Sequence, residues 1–224
     1  MKLIRSEYLS TEETLRRFSQ TRLSGHGEAL IYQKAKLELF YLADPNQLFP
    51  AQRYVLQRDL DTIFTLEEQF AAIGVDIYAL TCAVLFWLEH DDGTVEGPIP
   101  LCPPIVELTR EPAFTSAGIN CGRPYEVISL INDGMHRVSA ARARGRHINA
   151  ILVSGDIPYP YYAKPLPNGW SDVHVFDELP DNFVKKEYRD PENYRALFRD
   201  FNAVFPGIQK QRKRAEIELA TTNT

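Results

Sequence analysis

Asp133 is followed by Gly134-Met135-His136-Arg137 at the point where an apolar run gives way to an alanine-rich one. The first N–H groups of a helix lack intrahelical partners and lie at the positive end of its dipole. A phosphate placed there gains several donors at once. Gly134 has no Cβ to hold such a ligand off. Arg137 can grip a phosphate through two parallel N–H bonds, and His136 can add a donor or move a proton. Asp133 is the nearest carboxylate able to orient or deprotonate an acceptor hydroxyl. The same residues also admit a purely structural reading, with Asp133 as an N-cap, Arg137 as a surface cation and His136 as a satisfied neighbour of a sheet.

The flanking elements must hold this turn. Tyr125–Ile131 reads as a strand, residues 135–144 as a helix stopped by Gly145, and Ile148–Val153 as a second strand, together a compact β-α-β unit. Val138, Ala140, Ala141 and Ala143 suit a helix pressed closely onto a sheet. Upstream, Ser10 or Thr11 with Glu13 marks a helix start, and the aromatic-rich run Lys36–Leu42 a strand that stops at Asp44-Pro45-Asn46. Apolar spacing from Gln52 to Ile73 predicts one bent helix or two short ones. Asp76–Glu89 reads as a mostly buried helix capped by its first residue. The four prolines of 97–104 predict an extended connection before a short strand at Ile105–Leu108 and a loop over 109–124.

After Gly155 the composition turns to prolines interleaved with Tyr159, Tyr161, Tyr162 and Trp170, a loop-rich arm ending in a helix over Pro191–Phe205 with Asp190 as its cap. The organisation expected is a principal domain over 1–155 and an extension over 156–224 packed on it. Lys164 in the arm could meet a phosphate and Trp170 could stack on a base or line an acceptor pocket, although packing of the arm explains both more simply. Lys185, Lys186, Arg189, Arg195 and Arg199 alternate with acids as on a solvated helical face. Glu107, Glu111 and Asp44 are further acidic candidates for a base or a Mg²⁺ ligand.

Global properties exclude several classes. In 224 residues, 25 Lys+Arg against 30 Asp+Glu leave a charge of -5, so the chain as a whole lacks an electrostatic footprint for nucleic acid; the basic run at 209–214 is a local exception. Cys82, Cys102 and Cys121 form no CxxC pair, which argues against a zinc site or a disulfide framework and for a reducing, cytoplasmic setting. The longest apolar stretch, 77–88, is too short for the roughly 20 residues of a membrane span.

The stretch from Pro103-Pro104-Ile105 through YEVISLINDGMHRVSAARARG to INAILV resembles the core of the ParB/sulfiredoxin superfamily over about residues 100–153. The resemblance implies an α+β fold, a small mixed sheet flanked by helices, in which the Gly-x-His-Arg-type turn binds nucleotide phosphate through Gly134, Met135, His136 and Arg137. Sulfiredoxin-type members carry a cysteine nucleophile in that turn, where this chain has Met135, whose thioether cannot become a thiolate. Chromosome-partition members add a helix-turn-helix DNA reader, and here proline- and tyrosine-rich sequence follows instead. The superfamily's small kinases, which phosphorylate free serine, carry a similar His-Arg turn. This likeness implies a nucleotide-dependent phosphotransferase or NTPase acting on a small hydroxyl-bearing metabolite, with ATP, ADP or CTP and Mg²⁺ as cofactors. Asp133, His136 and Glu107 are the catalytic candidates. The competing expectations are a ParB-like DNA binder or nuclease and an inert nucleotide sensor with a protein partner.

Overall fold

The computed structural model describes residues 1–25, 29–112, 125–201 and 203–205. The basic run at 209–214, the other residues after 205, Cys121 and most of the loop expected at 109–124 lie outside them. In chain order the elements are strand β1 (Lys2–Tyr8), helix α1 (Thr11–Ser19), strands β2 (Arg22–Leu23), β3 (Ala35–Ala43) and β4 (Tyr54–Leu56), and helix α2 (Gln57–Ala71). Strands β5 (Val84–Glu89), β6 (Val95–Leu101), β7 (Ile105–Glu111) and β8 (Glu126–Asp133) precede helix α3 (Met135–Ala143). Strands β9 (Ile148–Gly155), β10 (His174–Phe176) and β11 (Arg199–Asp200) complete the chain.

The fold is α+β. A mixed sheet runs in the order β3-β9-β7-β8, and an antiparallel sheet in the order β1-β5-β6. In β7 and β9 apolar residues occupy both parities, as strands buried on both faces require. Val106, Ile148 and Ala150 face a cluster built with Leu66 and Phe70 of α2, Val138 and Ala141 of α3, and Phe86 and Leu88 of β5. Ile105, Ile151 and Val153 face the opposite way, toward Phe18 of α1, Tyr32 and Phe205. Two helices therefore fill the space between the sheets, and α1 with Phe201, Val204 and Phe205 covers the far face. The expected β-α-β stretch has its elements in place, but β7 lies between β8 and β9, and β8 runs antiparallel to β7 while β9 runs parallel to it. Val138, Ala140 and Ala141 are fully buried, whereas Ala143 is exposed.

Several expectations are corrected. Residues 76–89 are not a helix. Asp76 does act as a cap, but of a turn, its Oδ1 accepting from Tyr78 N at 3.0 Å. From Val84 onward burial alternates with a period of two, which sets Val84, Phe86 and Leu88 into the core as β5. Of the extended connection expected over 97–104, residues up to Leu101 belong instead to the edge strand β6, where Pro98 and Pro100 are tolerated. Helix α2 is unbroken, with Thr62 and Thr65 donating to the carbonyls of Arg58 and Asp61 at 2.8 and 2.9 Å. Strand β1 was not anticipated. The expected helix at 191–205 is a 3-10 turn, Tyr194–Leu197, followed by β11 paired with β2. Asp190 again caps only a turn, accepting from Asn193 N at 3.2 Å.

The reason for this last departure is Arg199. It is 3% exposed, and all five of its N–H groups are engaged. Nε and NH2 donate to Glu107 at 3.1 and 3.3 Å, and NH1 and NH2 reach the carbonyls of Pro160, Leu197 and Tyr159, each at 2.9 Å. A helix through residue 199 could not deliver that side chain to Glu107 while Phe201 and Phe205 both meet Phe18 edge to face. Among the described residues no helix is long and apolar enough to cross a membrane.

Removing one member of a buried ion pair strands the other charge. Arg199→Met is expected to lower unfolding free energy by roughly 3–5 kcal/mol in urea titrations. The double variant Arg199→Met/Glu107→Leu should recover only part of that loss, because it removes the stranded charge but leaves the Tyr32 hydroxyl, Asn132 Nδ2 and the carbonyls of Tyr159, Pro160 and Leu197 without those partners.

Candidate functional site

Glu107 anchors the site from below. Its Oε1 accepts from the Tyr32 hydroxyl and from Asn132 Nδ2 as well as from Arg199. Burial first, and then the neighbouring carboxylate, push the Tyr32 hydroxyl well above its ordinary pKa, so it remains a donor. With Asn132 pinned in this way, the backbone emerges from β8 at a fixed point and turns into α3. Tyr161 adds a hydroxyl donated to the Asn132 carbonyl at 3.3 Å.

Gly134 occupies the N-cap position of α3 at φ +86°, and no side chain caps the helix. A Cβ there would stand 2.9 Å from both Pro104 Cβ and Arg137 NH2. Glycine is thus required by its dihedral and by the close approach of the turn to the start of β7. Asp133 is not an N-cap; its carboxylate is half exposed and lies 3.4 Å from Arg137 NH2. Nor is Arg137 a surface cation, since its side chain is only 12% exposed.

Residues 132–137 line a cleft of about 610 Å³, with Tyr161, Tyr162, Lys186 and Phe198 of the arm among its other walls. Three buried polar atoms of this turn have no hydrogen-bond partner among the described residues: Asn132 Oδ1, His136 Nε2 and Arg137 NH1. Buried polar atoms are normally satisfied, so three orphans around one uncapped helix start mark a place that lacks a polar ligand. His136 Nε2 is 3.2 Å from Asp59 Oδ2 on α2, without hydrogen-bond alignment. Burial lowers the imidazole pKa and Arg137 and Lys186 reinforce the effect, while Asp59 and Asp133 oppose it. The ring is therefore biased toward its neutral form.

The structure brings Asp133, Gly134, Met135, His136 and Arg137 together on one cleft. Glu107 sits beneath it, occupied by Tyr32, Asn132 and Arg199. Trp170 and Lys164 do not line it. Trp170 donates from Nε1 to Pro45 O at 2.8 Å with the Arg142 guanidinium 5.2 Å from its ring centre, and Lys164 pairs with Glu187 at the surface. Glu111 is taken by Arg189, and Asp44 accepts from Asn46 N at 2.9 Å. Sequence reasoning missed Asp59, Tyr161, Tyr162 and Lys186 as cleft neighbours. The interleaved tyrosines were a visible signal, but Asp59 and Lys186 come from distant segments with nothing local to distinguish them.

A family model described as the ParB CE domain matches residues 13–174, more than half of the chain. No curated protein and no solved structure matches it.

Two outcomes are expected. Gly134→Ala should destabilise the fold by roughly 1–3 kcal/mol in thermal or urea unfolding, through the positive φ and the Pro104 contact. Because the folded His136 pKa lies below that of unfolded imidazole, the unfolded chain binds more protons as the pH falls through about 6.5. Stability should therefore drop in that window, and His136→Gln should flatten the drop.

Proposed function

The chain belongs to the ParB CE domain family, and from that premise and the turn's geometry we propose that it binds a nucleoside di- or triphosphate at residues 132–137 and acts as a phosphotransferase or NTPase. The observation that carries this reading is the trio of unpartnered buried atoms, Asn132 Oδ1, His136 Nε2 and Arg137 NH1, around the uncapped start of α3. A phosphate oxygen answers the Arg137 donor and the free backbone amides together. The cleft volume lies within the range that accepts a small-molecule ligand.

In this mechanism the acceptor hydroxyl, or water in the NTPase case, gives its proton to neutral His136. The new O–P bond forms as the bond from phosphorus to the leaving nucleotide oxygen breaks. Arg137 and the α3 amides offset charge on the transferring group. The imidazolium that results faces Asp59 and Asp133, so two carboxylates stabilise the protonated base. Among the described residues no group of three or more His, Cys, Asp or Glu could hold a metal by itself. The half-exposed Asp133 fits a Mg²⁺ held chiefly by phosphate oxygens, the usual arrangement for that ion, which would supply charge neutralisation. The acceptor class remains a small hydroxyl-bearing metabolite.

Calorimetry with ATP, ADP and CTP in Mg²⁺ tests the reading. Arg137→Ala should weaken binding about tenfold or more while leaving the melting temperature close to wild type, since a charged hydrogen bond contributes roughly 1.5–3 kcal/mol. Unchanged affinity would overturn the assignment. An arriving anion should also raise the His136 pKa, so affinity should increase from pH 8 to pH 6 with proton uptake. The heat should then vary with buffer ionisation enthalpy in wild type and not in His136→Gln.

A further inference from the structure

Lys186 lies beyond the 13–174 family match and lines the same cleft as the turn. The chain around it is held by backbone bonds that hand it toward the arm's tyrosines. Arg53 N donates to the Lys185 carbonyl at 2.9 Å, Lys164 N to the Glu187 carbonyl at 2.8 Å, and Arg189 N to the Tyr162 carbonyl at 3.0 Å. The side chains on the far side of Lys186 are engaged elsewhere, Glu187 with Lys164 and Arg189 with Glu111. Lys186 is different. Its ammonium donates to the Tyr162 hydroxyl and, at 3.3 Å, to the Tyr161 hydroxyl, and it lies 4.7 Å from the Tyr162 ring centre. Among the described residues no carboxylate pairs with it.

A half-buried amine with only neutral hydroxyl oxygens as partners has no counter-ion of its own among the described residues. Across the cleft stand Arg137, whose NH2 meets Asp133 at 3.4 Å while its NH1 has no hydrogen-bond partner, and the uncapped start of α3. Asp133 and Asp59 offset only part of this, so donors remain on both walls of the cleft for a polyanion to bridge. We propose that Lys186 is a second phosphate-binding residue of this site, so that the phosphate chain of a nucleotide bridges the 132–137 turn and the carboxy-terminal arm. This rests on the phosphate-binding reading of the turn. Tyr161 and Tyr162 are positioning residues: they aim the ammonium, and Tyr161 also bonds the Asn132 carbonyl, which ties the arm's cation to the turn it serves.

The test is calorimetric titration of the full chain with Mg-ATP and, separately, pyrophosphate, using wild type, Lys186→Met, Lys186→Arg and Arg137→Ala at two salt concentrations. Lys186→Met should bind about tenfold more weakly or worse, with a shallower salt dependence, and Lys186→Arg should restore most of the affinity. Circular dichroism melting checks the fold, and Lys186→Gln replaces the methionine variant if that one does not fold. If wild type binds and Arg137→Ala does not, but both neutral Lys186 variants bind as wild type, the lysine's role is overturned and the turn's stands. If wild type binds neither probe, both are overturned.

Discussion

The buried pair Glu107–Arg199 is the constraint on which the rest of the molecule depends. A carboxylate on a central strand is costly to bury unless every lone pair is answered, and here three distant segments converge to answer it. Tyr32 comes from the loop before β3, Asn132 from the end of β8, and Arg199 from the arm. Because Asn132 lies just before the turn into α3, the polar core and the cleft share one network. The arm is folded over the domain by the same bonds that set the turn, so its loop-rich composition does not make it a loose appendage.

Above that network the charge balance inverts. Arg137, Lys186 and the open end of α3 gather positive potential on one cleft, with Asp59 and Asp133 as the nearby counterweights. His136 sits between the two camps, desolvated enough to stay neutral and near enough to carboxylates to be stabilised once protonated.

Much of the central unit was legible because local signals agreed with the tertiary outcome. Ser10 with Glu13 marked α1, and the Ser10 side chain does accept from Glu13 N at 3.0 Å. The glycine of the turn, the small faces of α3 and the apolar strands around it were readable for the same reason. The failures share a cause. Asp76 and Asp190 are good caps, and a cap announces a turn as readily as a helix, so 76–89 and 191–205 were read as helices when distant pairings decided otherwise. Strand β5 exists because β1 and β6 flank it, and β11 because Arg199 is drawn inward; β1 and Glu107 lie far from them in sequence, and the adjacent β6 is rich in prolines. At the site, the turn announced itself by composition, while Asp59 and Lys186 are ordinary residues made significant by the fold.

The separation of the buried pair also bears on how the chain is made. Arg199 follows Glu107 by 92 residues, so a ribosome delivers the acid long before its counter-ion. Until the Arg199 segment leaves the exit tunnel, the central strands cannot close over an uncompensated charge without large cost. The arriving guanidinium therefore acts as a late lock that seals the interior and, through Glu107 and Asn132, steadies the mouth of the cleft.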